Sequence, residues 1–163
     1  MRKRIAVFAS GWAGEFIKEV MSGMKKAATK ADTDIFFFTN FSVFTERKEL
    51  NVGEVNIFNL PDLKDFDGVV VMPNSFNTQE EMDALMGKLK ACKLPIVSIE
   101  YKVENATAIM IDNYSGMEEL VRHVIEEHGA REIVYVGGLP DHSENIERLK
   151  ALCDVAGQNN LSI

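Results

Sequence analysis

Hydrophobic positions in this chain follow two spacings that take turns from end to end. Short, nearly unbroken apolar runs occur at Arg4 to Ala9, Asp34 to Asn40, Gly68 to Met72, Pro95 to Glu100, Ala108 to Ile111 and Glu132 to Val136. Between them, apolar residues recur every three or four positions. The runs predict strands and the wider spacing predicts amphipathic helices, because helical faces repeat about every 3.6 residues. One helix is expected from Glu15 to Lys30, with Phe16, Ile17, Val20, Met21, Met24 and Ala28 on a stripe. A second, from Thr78 to Ala91, carries Met82, Leu85, Met86 and Leu89. A third carries Met117, Leu120, Val121, Val124 and Ile125, and a fourth, from Ser143, turns Ile146, Leu149, Leu152 and Val155 inward. Strand and helix patterns in alternation predict an α/β fold, a parallel sheet flanked by helices.

Local signals sharpen the boundaries. Thr78-Gln79-Glu80-Glu81 and Ser115-Gly116-Met117-Glu118 have capping-box spacing, and Gly129 closes the third helix. The aromatic density of Asp34 to Asn40 predicts a buried strand. Ser42 to Asp65 is less regular. Glu46 to Leu50 fits a short helix, Gly53 and Pro61 interrupt it, and Val55 to Leu60 alternates as a strand would. Met21, Met24, Met82, Met86 and Met117 fall on helical stripes, where methionine fills gaps in a core.

A chain of 163 residues can bury a real core as a single domain. Its formal charge of −7 argues against a nucleic-acid surface, which needs clustered Lys and Arg. The basic Arg2-Lys3-Arg4 runs straight into Ile5 to Ala9 and reads as a solvated strand start. That apolar run is too short for a signal peptide, and no run reaches membrane-spanning length. Cys92 and Cys153 lack metal-ligand spacing and read as free, buried thiols of a cytoplasmic protein.

An α/β sheet can hold a nucleotide, a flavin or a phosphorylated aspartate. The first strand leads into Ser10-Gly11-Trp12-Ala13-Gly14, which lacks the three-glycine spacing a pyrophosphate requires. There is no Gly-Lys-Ser phosphate loop and no Gly-x-Ser-x-Gly nucleophile elbow, and Met72-Pro73 stands where a receiver domain would carry its aspartate. His123 and His128, five apart on one helix, are not expected to face each other as metal ligands. His142, in a loop at a strand end, reads as a pocket-lining polar group in preference to a metal ligand. No nucleophile–base pair or carboxylate dyad stands out, so the expectation is a binder without cofactor or metal, not an enzyme.

The order from Ala108 onward is the most distinctive part of the chain. A strand ends in Asp112-Asn113, a helix is closed by Gly129, a strand opens into Gly137-Gly138, and a helix carries Glu147-Arg148-Leu149. Together with Phe16 near the start of the first helix, this resembles the effector-binding domain of LacI-type transcriptional regulators and the related periplasmic sugar-binding proteins, without the helix-turn-helix headpiece. The resemblance runs from Ile5 to Leu161 and is weakest from Ser42 to Asp65. It departs from the family pattern in two places. Gly14-Glu15 stands where Asn-Pro is common, and Ala151-Leu152 follow Arg148 where Gly and an aromatic are usual.

The resemblance implies a periplasmic-binding-protein-like fold, with residues 1–112 as N-terminal lobe and residues 113–163 as the truncated start of a second. It implies ligand-binding roles for Trp12, Phe16, Asn74, Tyr101, Asp112, His142 and Arg148. Each has a plainer alternative where the residues alone are considered: Phe16 as core packing, Asp112 as a helix cap, Arg148 as a salt bridge to Glu144 or Glu147. The implied function is a sensor for a sugar or nucleoside-like molecule, in a LacI-type regulator or in a multidomain signalling protein such as a diguanylate cyclase. Ligand binding between lobes would shift a hinge. The implied partners are the ligand and a second copy in a homodimer, for which the Thr78 to Ala91 helix is a candidate contact, with no membrane and no nucleic acid touched by this segment. The alternative is a dimerisation module that binds no ligand. The expectation is also that this chain is the N-terminal part of something longer.

Overall fold

The computed structural model describes residues 2–11, 14–41, 53–76, 78–138, 140 and 142–161. It divides into two compact units, Met1–Met110 and Ile111–Ile163. The expected helix at Glu46 to Leu50 lies outside the described residues.

The first unit is a five-stranded parallel sheet in the order β2-β1-β3-β4-β5. The strands are β1 (Lys3–Ala9), β2 (Thr33–Thr39), β3 (Gly68–Val71), β4 (Ile96–Ile99) and β5 (Thr107–Ile109). Helix α1 (Glu15–Lys30) connects β1 to β2, and α2 (Gln79–Ala91) connects β3 to β4. Central strands of such sheets are buried on both faces, which explains why Ile5 to Ala9 is unbroken rather than alternating. Ala6 and Phe8 pack with Val69, Val71 and the α2 residues Leu85, Met86 and Leu89. On the other face, Ala9 and Met72 pack with Ile17, Val20 and Met21 of α1. The Thr78 hydroxyl accepts a hydrogen bond from the Glu81 amide at 3.2 Å, as the capping box predicts. The apolar stripe of α2 is spent on this core and is not a free dimer surface.

Two expectations for this unit are corrected. The aromatic strand β2 is half-buried, because it is the sheet edge. Its Phe36 stacks edge-on to Phe66, and the Arg4 guanidinium lies 4.9 Å and 5.3 Å from those two ring centroids. The basic start of the chain is otherwise solvated, with Arg2 paired to Asp32 at 3.1 Å and to Asp34 at 3.2 Å. The alternating stretch Val55 to Leu60 forms a 3-10 turn at Asn56–Asn59 instead of a strand. Phe58 is its buried anchor, packing against Phe8 and Phe76, with Val55 and Ile57 partly buried against the same core.

The second unit contains α3 (Asn113–Glu126) and α4 (Ser143–Gln158). They meet through buried Val121, Ile125, Leu152 and Val155, with Met117, Ile133 and Tyr135 packed around them. Tyr114 donates to Asp154 Oδ2 at 2.8 Å, and Lys150 Nζ reaches the same oxygen at 2.8 Å. The expected strand at Glu132 to Val136 is not formed. Glu132 makes one isolated bridge, and the segment runs extended with no ladder partner among the described residues. Its alternation is real: Ile133 and Tyr135 face the core, whereas Val134 and Val136 are 89% and 90% exposed. Leu120, Ile146 and Leu149, expected inward, are exposed because two helices cover only one stripe of each other. The cysteines are free as expected but not buried, Cys92 being half-buried and Cys153 exposed. Among the described residues no helix is long and apolar enough to cross a membrane.

Candidate ligand-binding site

Strand order reverses direction between β1 and β3, and in open parallel sheets ligands bind beyond the carboxyl ends of the strands at such a point. The loops that leave β1, β3 and β4 enclose an open pocket of about 290 Å³. It is lined by Gly14, Glu15, Phe16 and Ile17 after β1, by Met72, Asn74 and Ser75 after β3, and by Ile99 and Glu100 at the end of β4. Phe16 is 49% exposed while its neighbour Ile17 turns into the core. Core packing is therefore not the role of Phe16. Its ring offers an apolar face beside the polar side chains of Asn74, Ser75 and Glu100.

The pocket loops are held by a buried polar cluster that residue patterns did not reveal. Ser10 and Asn40, 1% and 3% exposed, sit at the ends of β1 and β2. The Ser10 hydroxyl donates to Asn40 Oδ1 at 2.8 Å, and the Gly11 amide donates to the same oxygen at 3.3 Å. The Ser10 amide donates to the Ser75 hydroxyl at 2.8 Å, and that hydroxyl donates to the Met72 carbonyl at 2.6 Å. The three strand ends are thus tied together directly beneath the pocket. Asn74 donates through Nδ2 to the Glu100 carbonyl at 2.8 Å, which joins the β3 loop to the β4 loop. Glu100 adopts φ of 58°, a backbone conformation side chains other than glycine seldom take. Strain of this kind collects at functional positions.

Of the residues expected in this unit, Phe16 and Asn74 line the pocket. Tyr101 stands one residue beyond it, where its carbonyl accepts from the Ser98 hydroxyl at 2.6 Å, and Glu100 takes the lining position. Trp12 lies outside the described residues.

The second unit carries its own polar pocket, about 350 Å³, lined by Tyr135, Val136, Gly138, His142, Glu144, Asn145 and Arg148. Asn145 organises it: its Oδ1 accepts from the Tyr135 hydroxyl at 2.8 Å and from the Gly138 amide at 2.9 Å. A Cβ on Gly137 would come within 2.9 Å of the Tyr135 ring and 3.0 Å of Asn145 Oδ1. Any side chain there would push Tyr135 away from Asn145, which is why a glycine stands at this point. Arg148 Nε donates to Asn113 Oδ1 at 2.7 Å, and its Nη2 lies 3.4 Å from Glu144 Oε2. Asn113, only 5% exposed, is a buried post that holds the guanidinium in place. The predicted salt bridge to Glu144 thus exists, but the shorter contact is to Asn113.

His142 lines this second pocket from the N-terminal edge of α4 and makes no capping hydrogen bond. Asp112 serves as a helix cap, the plainer of its two expected roles, which leaves the ligand role untouched. Its Oδ1 accepts from the Ser115 amide at 2.9 Å and caps α3, so the helix starts three residues earlier than the Ser115 capping box implied. The backbone hydrogen bond from Ser115, followed by that of its side chain, holds the Asp112 carboxyl below the usual carboxylate range. Among the described residues no group of three or more His, Cys, Asp and Glu could hold a metal.

The residues missed from sequence were Ser10, Asn40, Ser75, Glu100, Asn113 and Asn145. Most are small polar residues at strand ends, and that placement, rather than any motif, is the signal that could have found them.

No protein-family model and no curated protein matches the chain. Solved structures do. A periplasmic binding protein/LacI transcriptional regulator from Alkaliphilus metalliredigens, complexed with D-xylulofuranose, is 21% identical with a TM-score of 0.65, over 99% of this chain and 55% of its own. The transcription regulator CcpA of Lactococcus lactis is 15% identical with a TM-score of 0.69, over 100% of this chain and 56% of its own. An ABC transporter periplasmic solute binding protein from Actinobacillus succinogenes, with bound D-allose, is 15% identical with a TM-score of 0.70, over 96% and 56%. The chain therefore has the periplasmic-binding-protein-like fold that LacI-type regulators and solute-binding proteins share. It spans little more than half the length of each of these structures.

Proposed function

We propose that the chain is a sugar-binding segment of a LacI-type sensor, and that its ligand sits at the carboxyl ends of β1, β3 and β4. The half-exposed Phe16 ring beside Asn74 and Glu100, at the point where strand order reverses, carries this reading. A pyranose or furanose has an apolar face that stacks on an aromatic ring and an edge of hydroxyls that needs fixed donors and acceptors. Phe16 meets the first requirement and Asn74, Ser75 and Glu100 the second. In the separate pocket of the second unit, Arg148, braced by Asn113, offers a planar fork of donors suited to paired hydroxyls, with His142 beside it in that lining. Two of the three structures described above hold a monosaccharide, which supports a sugar over the nucleoside-like alternative.

In this reading residues 1–112 are the N-terminal lobe of a ligand-binding domain and residues 113–163 begin the second. The ligand biases a conformational equilibrium that a second copy or a regulatory partner reads. The protein binds its ligand and does not convert it, and it works in the cytoplasm. The option of a signalling-enzyme output has no observation of its own in support.

The test is calorimetric titration of the protein with D-allose, D-xylulose and a panel of other monosaccharides, repeated with Phe16→Ala. Binding of at least one sugar is expected, weakened about tenfold in Phe16→Ala, the equivalent of about 1.4 kcal/mol of stacking. Equal affinity in the variant would remove the strand-end pocket as the site.

A further inference from the structure

Helix α3 ends at Glu126 and the chain does not continue its spiral. Glu127 is the C-terminal cap, its amide donating to the His123 carbonyl at 2.9 Å. Gly129 then takes φ of 64°, in the left-handed region, and its amide returns to the Ile125 carbonyl at 3.1 Å. His128 sits in the turn between the last helical residue and this reversal. Two imidazoles that a straight helix would splay apart instead meet with Nε2 atoms 3.2 Å apart, their rings 4.9 Å between centroids and 81° between planes. The expectation that these histidines do not face each other was wrong because it assumed the helix ran on through His128.

We propose that His123 and His128 form a two-ligand site for a borderline transition-metal dication, with Cu²⁺, Ni²⁺ and Zn²⁺ as its chemical class. The spacing is the argument. Two nitrogens bound at about 2.0–2.1 Å to one tetrahedral ion lie about 3.3 Å apart. At right angles around a square or octahedral ion they lie about 2.9 Å apart. The observed 3.2 Å falls between these values, so one ion replaces the proton shared by the two rings with little movement of either side chain. Both rings are exposed, so the ion keeps water in its remaining positions. The site also lies at a helix C-terminus, where the backbone dipole favours a cation, on a chain of formal charge −7. Two preorganised ligands raise affinity over a single imidazole by about a hundredfold, because the second bond forms within the molecule.

The experiment is titration of the protein with Cu²⁺, Ni²⁺, Zn²⁺ and Mg²⁺ by calorimetry, with His123→Asn, His128→Asn and the double variant. Circular dichroism confirms that each variant is folded. One ion per chain is expected, tightest for Cu²⁺ and absent for Mg²⁺, as imidazole ligands dictate. Each single variant should lose at least about tenfold in affinity, and the double variant little more, because one remaining imidazole no longer chelates. In the unsubstituted protein, Zn²⁺ should shift the ring resonances of His123 and His128 together. Single variants that bind as tightly as the parent, Mg²⁺ competing on equal terms, or Zn²⁺ shifting only His142, would each overturn the proposal.

Discussion

The two units of this chain start from similar apolar patterns and end in different states of completion. In the first, every strand has a parallel neighbour and β1 is covered by helices on both faces. In the second, two helices pair along one stripe, and the strand-like segment beside them exposes Val134 and Val136 almost fully. The lesson is that alternation specifies which side chains face inward, but not that a strand exists. Ile133 and Tyr135 found their core. Among the described residues the backbone of the same segment has no ladder partner, and the outward valines stand exposed.

The sharpest way to test this contrast is to remove one leucine from each core. Leu89→Ala and Leu152→Ala should each cost about 2–5 kcal/mol, since both side chains are fully buried. Hydrogen exchange distinguishes them: Leu89→Ala should expose the amides of β1, β3 and β4, and Leu152→Ala those of α3 and α4. If Leu152→Ala left α3 and α4 protected, the small core of the second unit would not be what holds it.

Next in size is Asn40→Ala. Asn40 Oδ1 accepts from the buried Ser10 hydroxyl, whereas the Gly11 amide keeps the Asn40 backbone carbonyl at 3.1 Å, so loss of the side chain weakens the cluster at a cost of about 1–3 kcal/mol by urea denaturation. Sugar binding should weaken as well, because the pocket loops lose their brace. A stability loss with unchanged binding would separate this cluster from the pocket.

Acid should loosen the second unit through the Tyr114–Asp154–Lys150 contact. The hydrogen bond from Lys150, then that from Tyr114, depresses the Asp154 carboxyl below its ordinary value. A carboxyl depressed in the folded state contributes stability above its unfolded value, about 3.9, and loses it as pH falls through the lower folded value. Helicity of α3 and α4 should therefore decline below about pH 4, and less steeply in Tyr114→Phe. Identical acid profiles for the two proteins would mean the contact is not coupled to the helix pair. The smallest effect belongs to Val134→Thr, expected within about 0.5 kcal/mol of the parent, because that side chain touches solvent. A loss several times larger would mean the valine is covered after all.

Much of the first unit was legible because its signals are local. The run Ile5 to Ala9, the Thr78 capping box and the stripe of Leu85, Met86 and Leu89 each declare an element within a few residues. The place of Phe16 at a helix start was legible too, but its ligand role came from resemblance alone, since its residue pattern fits core packing equally. What was not legible depends on partners far along the chain. Ser10 meets Asn40 thirty residues away, and Arg148 meets Asn113 thirty-five away. Val55 to Leu60 alternates as a strand does, yet it forms a turn that sends Phe58, with Val55 and Ile57, into the core. The histidine pair escaped notice for a different reason, since it depends on where α3 stops. Asp112 shows a third kind of limit: an aspartate before a helix fits both a cap and a ligand contact, and the 2.9 Å bond to Ser115 shows the cap.

The most direct test of the sugar-binding account is a map of amide chemical shifts on titrating the protein with a bound monosaccharide. The account predicts that the largest changes fall at residues 14–17, 72–75 and 99–100, with Ser10 and Asn40 following because they brace those loops. Changes confined to any other surface, with the amides around Phe16 and Asn74 unmoved at saturation, would contradict it.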